Sequence, residues 1–319
     1  MTHSNTTPAR IFVVGSGVVG TATGLGFLAA GHRVTFIDVA EERIRDLRAR
    51  GLDAHHRLDL SGEPDSFVLL TLPTPHTGRA YDLSAFTAGS EAVGHALRDS
   101  TARHTVVVRS TVPPGTTDGL VRPVLERASG RTAGEGFGLA SNPEFLRAAT
   151  AEQDFANPWM TVIGCSDPAT TERLRALLTP FGGEMRTFDD PAAAELVKCA
   201  HNVFNATKIS FWNEMWLVAR QIGVDLDEVS TTVARSAEGS INPLYGIRGG
   251  APYGGVCLPK DTNGFLGYAA GVGVDMPLLR AVVETNERLE FVISREADAI
   301  SRRSGAAVAG SRPAASDVA

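Results

Sequence analysis

One stretch constrains this chain more than any other. After Arg10 the residues run Ile11-Phe-Val-Val-Gly15-Ser-Gly17-Val18-Val19-Gly20 and continue to Gly31 without a charged side chain. A run of that length invites a membrane span or a signal peptide. Both readings fail: Gly15, Gly17, Gly20, Gly24 and Gly26 interrupt it, it lacks a leucine-rich middle and a cleavage site, and a β-type run, Val34-Thr-Phe-Ile-Asp38, follows it. The stretch reads as a buried strand, a glycine turn and a helix. There, Gly15, Gly17 and Gly20 permit a tight turn and bring a pyrophosphate close to a helix N-terminus, with Val18 and Val19 in the same turn. Asp38 ends the second strand, eighteen residues beyond Gly20, where a carboxylate accepts hydrogen bonds from an adenosine ribose and repels a 2′-phosphate. The expected cofactor is NAD rather than NADP. Glycines that merely pack a helix on a strand, with a solvated aspartate, are the plainer alternative, and they leave the combination unexplained. Arg43 either pairs with Asp38, reaches the cofactor, or lies on a solvated helix face.

The 319 residues suffice for about two domains. Apolar runs of strand length at Arg10–Val14, Val34–Asp38, Phe67–Leu72, Thr105–Arg109, Gly138–Ala140, Thr161–Gly164 and Met185–Phe188 alternate with helix-like stretches, which predicts an α/β fold with a doubly wound parallel sheet over residues 1–190. From Pro191 the period changes, and no Pro or Gly interrupts the chain until Gly223. A long helix therefore opens a second, all-helical domain, 191–303. Its apolar side chains wrap most of the cylinder, so helix 192–221 must bury several faces, one of them in a homodimer. A shorter helix follows Asp225, then a glycine-rich loop, Gly246–Gly255, and a last helix from Asp275 as N-cap with Pro277 in the first turn. Residues 304–319 read as a disordered tail.

A net charge of −6 argues against nucleic acid as a partner. Cys165, Cys199 and Cys257 are too few and too scattered for a disulfide framework or a metal site, which fits a reducing cytoplasm. Cys257 stands out in Tyr253-Gly254-Gly-Val-Cys-Leu-Pro-Lys260-Asp261, a flexible loop with a cation nearby, the setting of a reactive thiol; a buried inert thiol is the plain alternative and is the reading for Cys165 and Cys199. Lys198 and Asn202, four apart on the long helix, share a face and offer a cation and an amide to an oxyanion, though such pairs are often simply solvated. Glu144, in Ser141-Asn-Pro-Glu-Phe145-Leu146, follows a strand at the sheet edge where such folds bind ligands and reads as a base or as a helix-start acid.

Together these segments resemble the UDP-glucose/GDP-mannose 6-dehydrogenase family from about Arg10 to Arg288. The matching motifs are Gly15 to Gly20; Leu72-Pro73-Thr74-Pro75 with Asp82-Leu-Ser84; Ser110-Thr111-Val-Pro-Pro-Gly115; Asn142 to Leu146; Glu195 to Lys198 through Asn202 to Asn213-Glu214; Gly254 to Asp261; and Glu284-Thr-Asn286. The resemblance implies that Cys257 is the nucleophile, that Lys198 and Asn202 bind substrate and hold oxyanions, and that Thr111, Glu144 and Asp261 handle water and protons. It places Leu72, Pro73, Thr74, Ser110, Thr111 and Lys260 by the cofactor and Phe145, Leu146, Tyr253 and Gly254 by the substrate. Arg248 matches a basic position that reaches a neighbouring subunit's substrate. The implied reaction oxidises a primary alcohol to a carboxylate in two NAD-linked steps through a Cys257 thiohemiacetal and thioester.

The family continues into a further nucleotide-binding domain, so this chain resembles a truncated member. Ala148-Ala149, Trp159-Met160 and Val256 replace the usual acid and glycine, an Asp-Arg-like pair and a serine, changes that gather around the substrate. The expected substrate is a nucleotide sugar or a smaller phosphate- or phosphonate-bearing alcohol, in specialised metabolism. Two alternatives stay open: a one-step hydroxyacid-type dehydrogenase using Lys198, and a non-catalytic partner of a full-length relative.

Overall fold

A computed structural model describes residues 8–77, 80–242, 252–255, 257–289 and 291, which fall into two compact units, one through Val203 and one from Phe204. Arg248, Val256 and the tail 304–319 lie outside the described residues.

The strands of the first unit are β1 (Arg10–Val14), β2 (Arg33–Ile37), β3 (Ala54–His55), β4 (Phe67–Leu70), β5 (His76–Thr77), β6 (Ala80–Tyr81), β7 (Thr105–Val108), β8 (Gly138–Ser141), β9 (Met160–Gly164) and β10 (Glu184–Phe188). Eight form one sheet in the order β10-β9-β8-β7-β4-β1-β2-β3, while β5 and β6 pair as a small hairpin. The helices are α1 (Val18–Ala29), α2 (Glu41–Ala49), α3 (Ser84–Arg98), α4 (Arg122–Ser129), α5 (Ala151–Ala156) and α6 (Pro168–Leu178). All four residues of β4 and of β7 are buried, as expected of strands covered by helices on both faces. One core layer gathers Phe27, Phe36 and Ile163, and the other Phe12, Phe86 and Phe137. The chain winds outward from β1 through β3 and returns to β4 on the other side of β1, creating a switch point at which such sheets bind ligands beyond their strand ends.

The doubly wound parallel sheet is as expected, with one reversal at its edge. The six neighbouring strands β8, β7, β4, β1, β2 and β3 are parallel, but Ser141 of β8 pairs antiparallel with Gly164 of β9, and β10 runs parallel to β9. The helix between β8 and β9 explains the reversal: α5 has six residues, about 9 Å of helix, too short to carry the chain back along a strand for a parallel crossover. Phe155 of α5 instead packs edge-on against Phe27 of α1, with ring centroids 5.0 Å apart.

The long helix α7 (Pro191–Ile222) spans 32 residues and ends at Gly223, which has φ +72°, the left-handed conformation that stops a helix. The second unit adds α8 (Leu226–Ser236), α9 (Glu238–Ile241), α10 (Cys257–Gly271) and α11 (277–289). Asp225 caps α8 by accepting the Asp227 N–H at 2.9 Å. Val218, Ala269 and Met276 form this unit's buried core, with Met215, Phe265, Leu266 and Leu279 packed on it. Helix α10 corrects the loop reading around Cys257. Pro259 and Gly264, Gly267 and Gly271 made the segment look irregular, yet Pro259 falls in the first turn, where its missing N–H costs nothing, and burial of Ala269 holds the rest. Among the described residues no helix is long and apolar enough to cross a membrane.

Candidate active site

The switch point opens into a groove of about 1080 Å³ lined by Gly15 to Val19, Asp38, Arg43, Leu72 to Thr74, Ser110, Thr111 and Glu144. The three glycines of the turn do different work. Gly15 turns with φ +98°, and a Cβ there would lie 2.6 Å from the Thr71 carbonyl oxygen. A Cβ on Gly20 would collide with the Gly15 carbonyl, so Gly20 lets α1 pack against the turn. Gly17 is the N-cap of α1, and a Cβ there meets nothing within 4 Å; its bareness keeps open the approach to the helix N-terminus. The Ser16 hydroxyl beside it is buried without a partner, a polar atom available to a ligand's phosphate. Asp38 accepts the Ser16 N–H at 2.6 Å and the Ala40 N–H at 2.9 Å, so its carboxylate is fixed at the groove wall and does not pair with Arg43. The loops after β4 and β7 are stitched by Ser110 Oγ donating to Leu72 O at 2.7 Å and Thr74 Oγ1 donating to Thr111 O at 2.8 Å. These features fit an NAD pyrophosphate and ribose.

Glu144 links this groove to the long helix. Its carboxylate lies 3.4 Å from the Lys198 ammonium, both side chains less than one-tenth exposed, and it also accepts the Leu146 N–H. Lys198 stands 5.2 Å over the centroid of the Phe145 ring. Asn202 is exposed on the next turn of α7. Behind Glu144, Arg109 is buried and donates to Asn142 Oδ1 at 2.6 Å and to Thr23 Oγ1 at 3.0 Å. Burial pushes its guanidinium down to about 10, opposed by the Glu144 charge, and it stays cationic at neutral pH.

The sequence reading assigned no role to Arg109 or Glu195. Glu195 accepts the Gly115 N–H at 2.5 Å and the Thr117 N–H and hydroxyl at 2.8 and 2.6 Å. It thus ties α7 to the turn that follows the Ser110–Thr111 loop. Burial raises its carboxyl above the ordinary value, and these donors work against the rise. Its place three residues before Lys198 was the available signal. Cys165 and Cys199 are raised chiefly by burial and donate to the Leu139 and Val112 carbonyls, as inert thiols do.

In the second unit Cys257 is exposed at the start of α10. Lys260 and Asp261, one step on, pair with each other at 2.6 Å and are both about two-thirds exposed. Asn286 fixes the preceding loop reciprocally, accepting the Tyr253 N–H at 2.7 Å and donating to the Tyr253 carbonyl at 3.0 Å. The Glu214 carboxylate accepts the Leu278 and Leu279 N–H groups at 2.5 and 3.1 Å and so caps α11. These two residues of the family-like motifs hold structure; neither had been given a role.

Two family models match the chain: the NAD binding domain of the UDP-glucose/GDP-mannose dehydrogenase family over residues 63–182 and its central domain over 192–288. A GDP-mannose 6-dehydrogenase of Pseudomonas syringae is 36% identical over 87% of this chain and 68% of its own length. The chain belongs to the UDP-glucose/GDP-mannose dehydrogenase family. A UDP-glucose 6-dehydrogenase of Haloferax volcanii is 31% identical over 87% of this chain and 69% of its own. The crystal structure of a GDP-mannose dehydrogenase ternary complex from Pseudomonas aeruginosa superposes with a TM-score of 0.79 at 32% identity, covering 88% of this chain and 69% of that one. Membership makes this family protein an NAD-dependent dehydrogenase acting on a CH–OH donor, and the groove beside Gly15 and Gly17 is the candidate place for its cofactor.

Proposed function

We propose that this protein oxidises the primary alcohol of a nucleotide sugar to a carboxylate in two successive steps, as a homodimer, with residues 1–190 binding NAD and 191–303 forming the helical central domain. The buried Glu144–Lys198 pair carries the reading: a cation and a carboxylate held 3.4 Å apart beside the cofactor groove can exchange a proton with an alcohol or water and then hold a developing oxyanion. GDP-mannose is the first substrate to test, given the 36% identity to a GDP-mannose 6-dehydrogenase against 31% to a UDP-glucose 6-dehydrogenase.

In the first oxidation Asp261, through water, accepts the alcohol proton, with Lys198 and Asn202 holding the oxygen. The bound cofactor supplies the hydride acceptor for each of the two oxidations. The Cys257 sulfur adds to the aldehyde carbon, and a proton goes to its oxygen, giving a thiohemiacetal. A helix N-terminus carries partial positive charge, a setting suited to a nucleophilic sulfur. The second oxidation leaves a thioester on Cys257. Water activated by Glu144 or Asp261, with Thr111 beside it, attacks the thioester carbonyl; the C–S bond breaks, the acid leaves and the thiol is restored. Phe145, Leu146, Arg248, Tyr253 and Gly254 hold substrate, while Arg43 and Lys260 attend the cofactor. Support for the homodimer comes from α7, where Leu196, Val203, Phe204, Ile209 and Trp216 are 47–67% exposed, more apolar surface than a solvated helix carries.

The test is NADH formed per molecule of limiting substrate across GDP-mannose, UDP-glucose, CDP-glucose and simpler phosphate alcohols. Two NADH per acid, abolished in Cys257→Ala, is the expected result. One NADH, unaffected by that substitution, would replace this reading with a one-step dehydrogenase.

A further inference from the structure

Three rings from separate elements form one wall beside the Glu144–Lys198 pair. Trp159 precedes β9, Phe145 follows β8 and His201 lies on α7. The Trp159 and His201 planes stack with centroids 5.5 Å apart and 28° between them. Phe145 meets Trp159 edge-on at 5.3 Å and His201 at 5.1 Å, with the Lys198 ammonium over its own face. Glu144 lines both the cofactor groove and the pocket to which Trp159 and Phe145 contribute. Trp159 nevertheless keeps 56% of its surface exposed, although an indole kept only for packing would bury that apolar area. Burial, then the Lys198 charge, hold His201 below the ordinary histidine range, against the Glu144 charge, so an uncharged ring backs the indole at neutral pH.

A flat apolar face beside a cation and a carboxylate suits a saturated ring with C–H groups on one face and hydroxyls around its rim. Resting on the reading that the substrate is a nucleotide sugar, we propose that Trp159, held in place by stacking on His201, is a specificity-determining platform on which the hexose ring lies while its rim hydroxyls reach the Glu144–Lys198 pair. Trp159 touches substrate and sorts substrates by ring shape. His201 acts through Trp159 as a positioning residue.

The test uses Trp159→Ala, Trp159→Phe and His201→Ala in the full chain. Trp159→Ala raises the KM for the sugar nucleotide about tenfold, the loss of one good aromatic contact, and leaves kcat within about twofold and the KM for NAD unchanged. Trp159→Phe restores most of the affinity, and His201→Ala falls between. Substrate titration quenches tryptophan fluorescence in the natural protein; Trp159→Phe, which retains Trp212 and Trp216, loses that quench. A wild-type KM in Trp159→Ala, or a quench that survives in Trp159→Phe, overturns the platform while leaving the dehydrogenase reading intact. A Trp159-dependent quench by GDP-mannose with no NADH formed would do the reverse. No quench and no NADH with any sugar nucleotide overturns both.

Discussion

Gly17 and Gly20 sit three residues apart and make opposite demands on the chain. A methyl group on Gly20 has no room, because the Gly15 carbonyl fills the space, whereas one on Gly17 enters open groove. Gly20→Ala is therefore expected to lower the melting temperature by several degrees, in keeping with an overpacking cost of about 1–3 kcal/mol. Gly17→Ala should melt within about one degree of the natural protein and raise the KM for NAD about tenfold by blocking the pyrophosphate. Thermal melts paired with NAD titrations separate the two, and equal behaviour of both variants would refute the division of roles. Both glycines are legible in the sequence, since spacing after a strand carries the signal. Their division of labour is not, because it depends on which atom lies across from each missing Cβ. Trp159 is a similar case: the sequence marks it as unusual, and only the fold brings His201 against it.

Among the elements, helix termini carry much of the design. Asp167 caps α6 by accepting the Ala169 and Thr170 N–H groups at 3.2 Å each and pairs with Arg103 at 2.6 Å. Partial burial pushes its carboxyl up, but the Thr170 hydroxyl, Arg103 and the two N–H groups outweigh it and leave the group below the ordinary aspartate value. The stabilisation is thus complete above the unfolded-state value near 3.8 and is lost as pH falls through the lower folded-state value. Asp167→Asn keeps a capping oxygen and loses the charge. It should be less stable than the natural protein by about 1 kcal/mol at pH 7, with the gap narrowing toward pH 3 in urea denaturation; a gap independent of pH would reject the linkage. Strands β1, β2, β4, β7, β8, β9 and β10 and helix α7 were readable because apolar runs and period dominate locally, whereas the two-residue strands β3, β5 and β6 carry no such run. The reversal between β8 and β9 was not, since a short α5 and its packing on Phe27 decide the direction. Nor was α10, where glycines and a proline argue locally against a helix that tertiary burial of Ala269 supports.

For the molecule as a whole, the prediction concerns assembly. The exposed apolar face of α7, with Phe204 at 67% and Ile209 at 61%, is expected to be covered by a second copy. Sedimentation should then give a dimer for the natural protein and a monomer for Phe204→Glu with Ile209→Glu, because two buried unpaired carboxylates cost more than such an interface returns; a doubly substituted protein that stays dimeric would exclude this face. Sequence alone determined the α/β class, the NAD fingerprint and the long helix, and it supplied the candidates for the chemistry, because each rests on short-range spacing or on period along the chain. Tertiary structure alone decided that Glu144 meets Lys198, that Glu195 ties α7 to the Gly115–Thr117 turn, and that Phe145, Trp159 and His201 share one wall. These pairings join residues 14 to 80 positions apart, and distances of that order are set by sheet order and crossover, not by any local preference of the chain.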